Sequence, residues 1–292
     1  MVSEKSGAAH YETMKTTFIT KASGEREAFS EAKLRRSLAR SGTSPEHIEA
    51  IVEGVTAGLR EGMTTKSIYA RAFSLLRRKE RPAAARYHTR MALMELGPSG
   101  HPFEKFVGEL MKTQGFSTEV AVVAQGRCIS HELDVVAHRG EEHVMVECKF
   151  HNHPGIRSDA KVALYVQARF EDIEKRWKAE PGHGTKLHAV WLVTNTKLTI
   201  DAAHYAECVG MHAIGWNYPT ESGLQDLIEK FRLHPVTCLT TLTRFQKQEL
   251  LRLKILLCKD ILNNGNILKK IGLSDVQANK VLEEIHNIYA SK

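Results

Sequence analysis

Between Phe18 and Leu96 the apolar positions recur every three or four residues, the period of helices with one buried face. The pattern predicts a short extended start at Phe18–Lys21 and a turn at Ser23-Gly24. Helices follow from the N-cap Ser30 to Arg40, over 45–60 behind Pro45, over 65–79 behind Thr64 or Thr65, and from Pro82 to Leu96. Gly97-Pro98-Ser99-Gly100 then breaks the chain. The pattern changes after it. A helix over 103–114 precedes three runs of strand character, near 117–124, 131–137 and 143–150. A long helix at 159–178, an apolar strand from Leu187 to Thr194, a helix near 199–209 and a strand at 211–216 complete a mixed α/β order around a central sheet. Residues 236–292 are helical again, with breaks at Asn263-Asn264-Gly265 and at Gly272. The expected class is multidomain α/β, with three domains at 16–96, 101–232 and 236–292.

Composition narrows the partners. The chain is 42% hydrophobic and 26% charged, as globular proteins are, and carries a net charge of +7. That balance suits a polyanion such as nucleic acid or nucleotide. No run of about 18 apolar residues would span a membrane. Met1–Lys15 lacks the apolar core of a signal peptide, and Met14 is an alternative start behind a short polar leader. Cysteines 128, 148, 208, 238 and 258 form no CxxC pair. Their wide spacing suits reduced, mostly buried thiols in a cytoplasm.

The candidate chemistry lies in the third strand of the middle region, Val144-Met145-Val146-Glu147-Cys148-Lys149-Phe150. Alternation places Val144, Val146, Cys148 and Phe150 on one face, and Glu147 and Lys149 on the other, about 7 Å apart. Two charges on the face of an apolar strand need compensation by each other, a metal or a ligand. If the preceding strand, His131–Ala137, forms a hairpin with this one, Asp134 comes beside Glu147. Two adjacent carboxylates repel, and a divalent cation removes that penalty. A nearby lysine can position water or stabilise charge on a phosphate. On the helix before the strands, Phe103, Phe106, Val107, Leu110 and Met111 form an apolar stripe. Glu104 lies at its edge, facing the sheet, and Glu109 lies nearly opposite, facing solvent. His151 and His153, close behind the strand, are loop histidines.

The order helix-Glu104, then Glu132-Leu133-Asp134-Val135-Val136-Ala137, then Val146-Glu147-Cys148-Lys149 resembles the PD-(D/E)xK nuclease superfamily. The likeness is to the Mrr-like restriction endonucleases and archaeal-type Holliday-junction resolvases, over roughly residues 101–216. It implies that Asp134 and Glu147 bind Mg2+ (or Mn2+), that Glu104 supports the metal, and that Lys149 is catalytic. It also implies a functional glutamine at Gln167. The chain departs from the nominal motif in having no proline before Asp134.

Residues 15–95 hold 16 Lys/Arg against 9 Asp/Glu, a balance of +7. Arg71, Arg77, Arg78, Lys79, Arg81, Arg86 and Arg90 read as a solvated basic face or a nucleic-acid contact. Ile19-Thr20-Lys21-Ala22-Ser23-Gly24, Glu27-Ala28-Phe29-Ser30, Lys33-Leu34 and Ala85-Arg86-Tyr87-His88-Thr89-Arg90 resemble the ATP-cone, a regulatory nucleotide-binding domain. Where that family carries arginine this chain has Ala22. The resemblance implies ATP or dATP as a regulatory ligand at Lys21, Ser23, Gly24, Phe29 and Lys33, and a homo-oligomer. No Walker-type phosphate loop is present. In the last region, Leu268-Lys269-Lys270-Ile271-Gly272-Leu273-Ser274 followed by Ala278, Val281, Leu282 and Ile285 resembles half a helix-hairpin-helix, which offers backbone amides to DNA phosphates. Its balance is 9 Lys/Arg against 5 Asp/Glu, or +4, and a packing or dimerisation module fits as well. The expectation is a nucleotide-regulated, Mg2+-dependent endonuclease acting on DNA, in defence against foreign DNA. Its rivals are a nucleotide-sensing, DNA-binding regulator with a silent nuclease fold, and an RNA-directed nuclease.

Overall fold

A computed structural model describes residues 16–179, 189–264 and 266–290. Met14, Leu187, His188 and Gly265, which figure in the expectations above, lie outside the described residues. The first module opens with the antiparallel pair β1 (Phe18–Thr20) and β2 (Arg26–Ala28). The sequence pattern signals β1 alone, because β2 is a short, largely exposed run with no apolar alternation. Helices α1 (Glu31–Arg40), α2 (Pro45–Thr56), α3 (Thr65–Lys79) and α4 (Arg81–Met94) follow. Ser30 and Thr64 cap α1 and α3 by accepting from the backbone amides of Lys33 and Ser67. Helix α2 ends four residues before its expected limit, and Arg71 closes over the turn that follows it. Arg71 Nε donates to the Gly54 carbonyl, and its guanidinium fills the space where a side chain at Gly58 would stand.

The middle region is a five-stranded sheet in the order β3-β4-β5-β7-β9. Helix α5 (His101–Thr113) leads into β3 (Ser117–Gln125), β4 (Ser130–Arg139) and β5 (Glu142–Lys149), which pair antiparallel. A short β6 (Arg157–Ser158) and the long α6 (Ala160–Ala179) cross to β7 (Ala189–Thr194), parallel to β5. Then come β8 (Lys197–Leu198), paired with β6, helix α7 (Ile200–Cys208), β9 (His212–Ile214) and α8 (Leu224–Phe231). The expected mixed α/β sheet with flanking helices is what forms. One face packs on α5 and α8 through Phe103, Phe106, Val135, Val144 and Val146. The other packs on α6 and α7 through Leu133, Met145, Val166, Ile173 and Ala206. The last region holds α9 (Arg244–Arg252), α10 (Cys258–Leu262), α11 (Ile267–Lys270) and α12 (Asp275–Ala290). Gly272 turns the chain between α11 and α12 at φ +83°.

Helix α4 serves three cores at once. Ala83 and Ala84 join the first module, Ala85 and Ala92 join the last, and Leu93 joins the α5 side of the sheet. Small alanines at 83, 84, 85 and 92 let two of those cores approach the helix closely from different sides, and Leu93 reaches the third. Arg86 is buried, donating through Nε to the Ser41 carbonyl at 2.7 Å and through Nη1 to the Ile288 carbonyl at 3.3 Å. The basic run of this region is therefore not one solvated face: Arg71, Arg86 and Arg90 are each tied to a backbone carbonyl. Glu109 is corrected too. It bridges Lys112 at 2.8 Å and Lys259 of α10 at 2.9 Å, because the last module covers the side of α5 that would otherwise face water. Of the cysteines, Cys238 and Cys258 are buried as expected, while Cys128 and Cys208 are exposed.

Candidate active site

The β3–β4 ladder turns over at one rung. Val120 and Val135 face one another and belong to the α5-side core, while the next paired residues on the same strand parity, Val122 and Leu133, belong to the α6 side. In a regular strand they would share a face. The inversion occurs at Ala121, whose φ is +58°, opposite Asp134. Beyond Val135, paired with Val146, the registered pairing of β4 with β5 stops. There the Asp134 side chain replaces the backbone as acceptor, and its Oδ2 takes the Cys148 N–H at 2.7 Å.

Glu147 points to the α6 side, where it meets Arg169 at 2.5 Å, Nη1 to Oε2, with the Glu147 side chain 15% exposed. Arg169 also donates to the Glu132 carbonyl, and its Nε is buried without a partner. Burial is the main effect pushing the Glu147 carboxyl up to about 7, and the Asp134 charge adds to it, against the opposing pull of Arg169 and Lys149. Burial also raises Asp134, the Cys148 amide opposes it, and the Glu104 charge raises it further. Glu104 itself hydrogen-bonds His101 Nδ1 at 3.0 Å. Lys149 is exposed at the end of β5, near enough for its charge to act on Glu147.

Asp134 and Glu147 therefore flank the point where β4 and β5 part, and the charges of Glu104 and Lys149 act on Asp134 and Glu147 respectively. Gln167 does not join them by any contact. Its amide donates to Glu171 at 3.1 Å, and its oxygen is buried without a partner. The helix turns Arg169 toward the sheet in its place. Arg169 was legible, since it continues the spacing of the buried residues Ala163, Val166 and Ile173, and a cation in an apolar stripe signals a buried partner. His151 is locked in structure: its N–H and carbonyl bond Asn195 at 2.8 and 2.7 Å, and its Nε2 meets Ser158 at 3.1 Å. On the far side of the sheet edge, Asp172 of α6 accepts from the Cys128 and Ile129 amides and from His131, which pins the tip of the β3–β4 hairpin.

Among the described residues, no three His, Cys, Asp or Glu side chains form a complete ligand set. A two-carboxylate site still fits Mg2+, which keeps several waters and takes one or two carboxylates. Burial lifts Glu147 to about 7 and the Asp134 charge adds to it; that added repulsion is the penalty such an ion would remove.

At the other candidate site, Lys21 and Lys33 both reach Glu27 Oε2 at 2.9 Å, and Lys21 also reaches Glu25 at 3.1 Å. Gly24 holds the hairpin turn at φ +85°, its N–H bonded to the Lys21 carbonyl. Ser23 is exposed, and Phe29 packs on the module's core.

A restriction endonuclease family model matches residues 97–214, and a model described as AF1548-like, C-terminal matches 234–289. An uncharacterized protein of Archaeoglobus fulgidus is 38% identical over 186 residues, covering 62% of this chain and 99% of that protein. The crystal structure of the protein of unknown function AF1548 superposes with a TM-score of 0.52 at 35% identity, covering 66% of this chain and all of that one.

Proposed function

The chain belongs to the family of these AF1548-like proteins and carries a restriction endonuclease domain, and from that premise we propose that it is a Mg2+-dependent endonuclease that hydrolyses DNA phosphodiester bonds under control of an adenine nucleotide. The observation that carries the reading is that Asp134 and Glu147 flank the point where β4 and β5 part, close enough for the charges of Asp134 and Lys149 to act on Glu147. Asp134 and Glu147 would hold the metal, with Glu104 behind Asp134. Bound there, a divalent ion supplies an activated water and stabilises charge growing on the phosphate. The rest falls to the chain. The Cys148 amide fixes the Asp134 carboxylate in one orientation. Arg169 holds one oxygen of Glu147 and favours its ionised form, the form that binds metal. Lys149, exposed and cationic, orients the attacking water or the scissile phosphate.

The first module is read as the nucleotide-binding part, with Lys21 and Lys33 meeting phosphates, the Ser23-Gly24 turn giving backbone amides and Phe29 lining the site. The α11–α12 turn with Lys269, Lys270 and Lys280 is read as a sequence-neutral DNA contact. A homo-oligomer fits nucleotide control.

The test is cleavage of plasmid DNA with Mg2+, with and without ATP or dATP, beside Lys149→Ala and Asp134→Ala. Cleavage that both substitutions abolish, and that nucleotide alters, is expected. One observation favours a rival: Arg169 already neutralises Glu147, as it would in a silent, DNA-binding regulator. DNA binding by the wild type with no cleavage under any of these conditions would establish that rival.

A further inference from the structure

Away from the carboxylates, positive charge gathers where the first module meets the loop leaving β5. Gly155 of that loop lies flat against Ala22: a side-chain carbon at 155 would come within 2.7 Å of the Ala22 carbonyl carbon. From α4, Arg90 Nη2 donates to the Pro154 carbonyl at 3.1 Å, while its Nε is buried without a partner. Arg157 on β6 and Lys197 on β8 are direct neighbours in register, and both are exposed. The charges of Arg90, Arg157, Lys21 and Lys33 all act on Lys197.

The local charges do not balance. Glu25 and Glu27 pair with Lys21 and Lys33. Arg90, Arg157 and Lys197 have no acidic partner among the described residues. Five cations against two carboxylates leave +3. Like charges from three separate elements repel at this range unless an anion sits among them. A chain of phosphates carries several negative charges over a short length and accepts charge-assisted hydrogen bonds from Arg and Lys together.

We infer that Lys21, Lys33, Arg90, Arg157 and Lys197 form one composite site for the polyphosphate of a nucleoside triphosphate, closed across the boundary between the first module and the nuclease domain. The inference rests on the proposed nucleotide-binding role of residues 16–96 and adds to it the half of the site that comes from elsewhere in the chain. Phosphate takes the place of Glu27 as the partner of Lys33. It also bridges the first module to β6, at the end of the loop that His151 opens two residues after Lys149. That gives nucleotide a physical route to the catalytic strand.

The test uses the full chain, calorimetry with ATP and AMP, and the variants Arg157→Ala, Lys197→Ala, Lys197→Arg and Lys33→Ala, with thermal melts confirming that each is folded. Loss of one charge-assisted contact is expected to weaken ATP at least about tenfold in Arg157→Ala and Lys197→Ala. AMP binding should move much less, and Lys197→Arg should stay near wild type. ATP bound as tightly by both alanine variants as by the wild type, but weakly by Lys33→Ala, would overturn the composite site and leave the nucleotide module standing. No ATP binding by the wild type would overturn both. Weakened DNA binding with unchanged ATP binding would overturn the composite site by assigning Arg157 and Lys197 to the DNA path.

Discussion

At Glu147 two effects of opposite sign meet. Burial and Asp134 raise its pKa to about 7 from an ordinary 4.5, while Arg169 and Lys149 pull it down. Between those values the folded chain holds a proton that the unfolded chain has released, so stability falls as pH rises from about 4.5 to about 7. The loss is on the order of 3 kcal/mol. Chemical denaturation across pH should show that slope in the wild type and its absence in Glu147→Gln; parallel curves would refute it. The same proton competes with metal, so Mg2+ affinity should fall steadily below pH about 7, measurable by calorimetry. Removing the cation goes further. Arg169→Leu leaves the Glu147 charge unpaired and the Glu132 carbonyl without its donor. It should cost about 3 kcal/mol at pH 8 and less at pH 5, where Glu147 is protonated. It should also move the acid limb of cleavage to higher pH.

At the scale of elements, the apolar period found most helices, because one buried face on a capped helix leaves a clear trace. Ser30, Pro45 and Thr64 stand where α1, α2 and α3 begin. The pair Asp134–Glu147 was also legible, since two apolar runs with charges in step imply a hairpin. The inversion at Ala121 was not. It is a property of backbone φ at a residue with no special propensity, and strict alternation hides it. Nor was the seat of Glu109, which depends on a module about 150 residues away in the chain. Gln167 and Arg169 show the same limit at a finer grain. Resemblance points to a position on α6, but the helix phase decides which side chain reaches the sheet. Ala121 itself makes a prediction. A left-handed φ costs a residue with a side chain about 1 kcal/mol. Ala121→Gly should therefore stabilise by about that amount and Ala121→Val should destabilise, both read by denaturant melts.

In the molecule as a whole, α4 decides how independent the three modules are. It contributes to three cores, and Arg86 on it joins the loop after α1 to the last turn of α12. Arg40 pairs with Asp226 of α8, and Lys259 with Glu109 of α5. Thermal unfolding should accordingly be one cooperative transition. Arg86→Met, which strands two buried carbonyls, should lower stability by about 2 kcal/mol without splitting that transition. Two resolved transitions in the calorimeter would show the modules to be separable.

Helix α4 also sets an order of events during synthesis. It is complete at Met94, yet Ile288, a partner in one of its cores, is made some 190 residues later. At the usual pace of a ribosome that interval is roughly 10 to 40 s. For that long a helix that belongs to three cores waits beside the nascent chain with at least one of them unfilled.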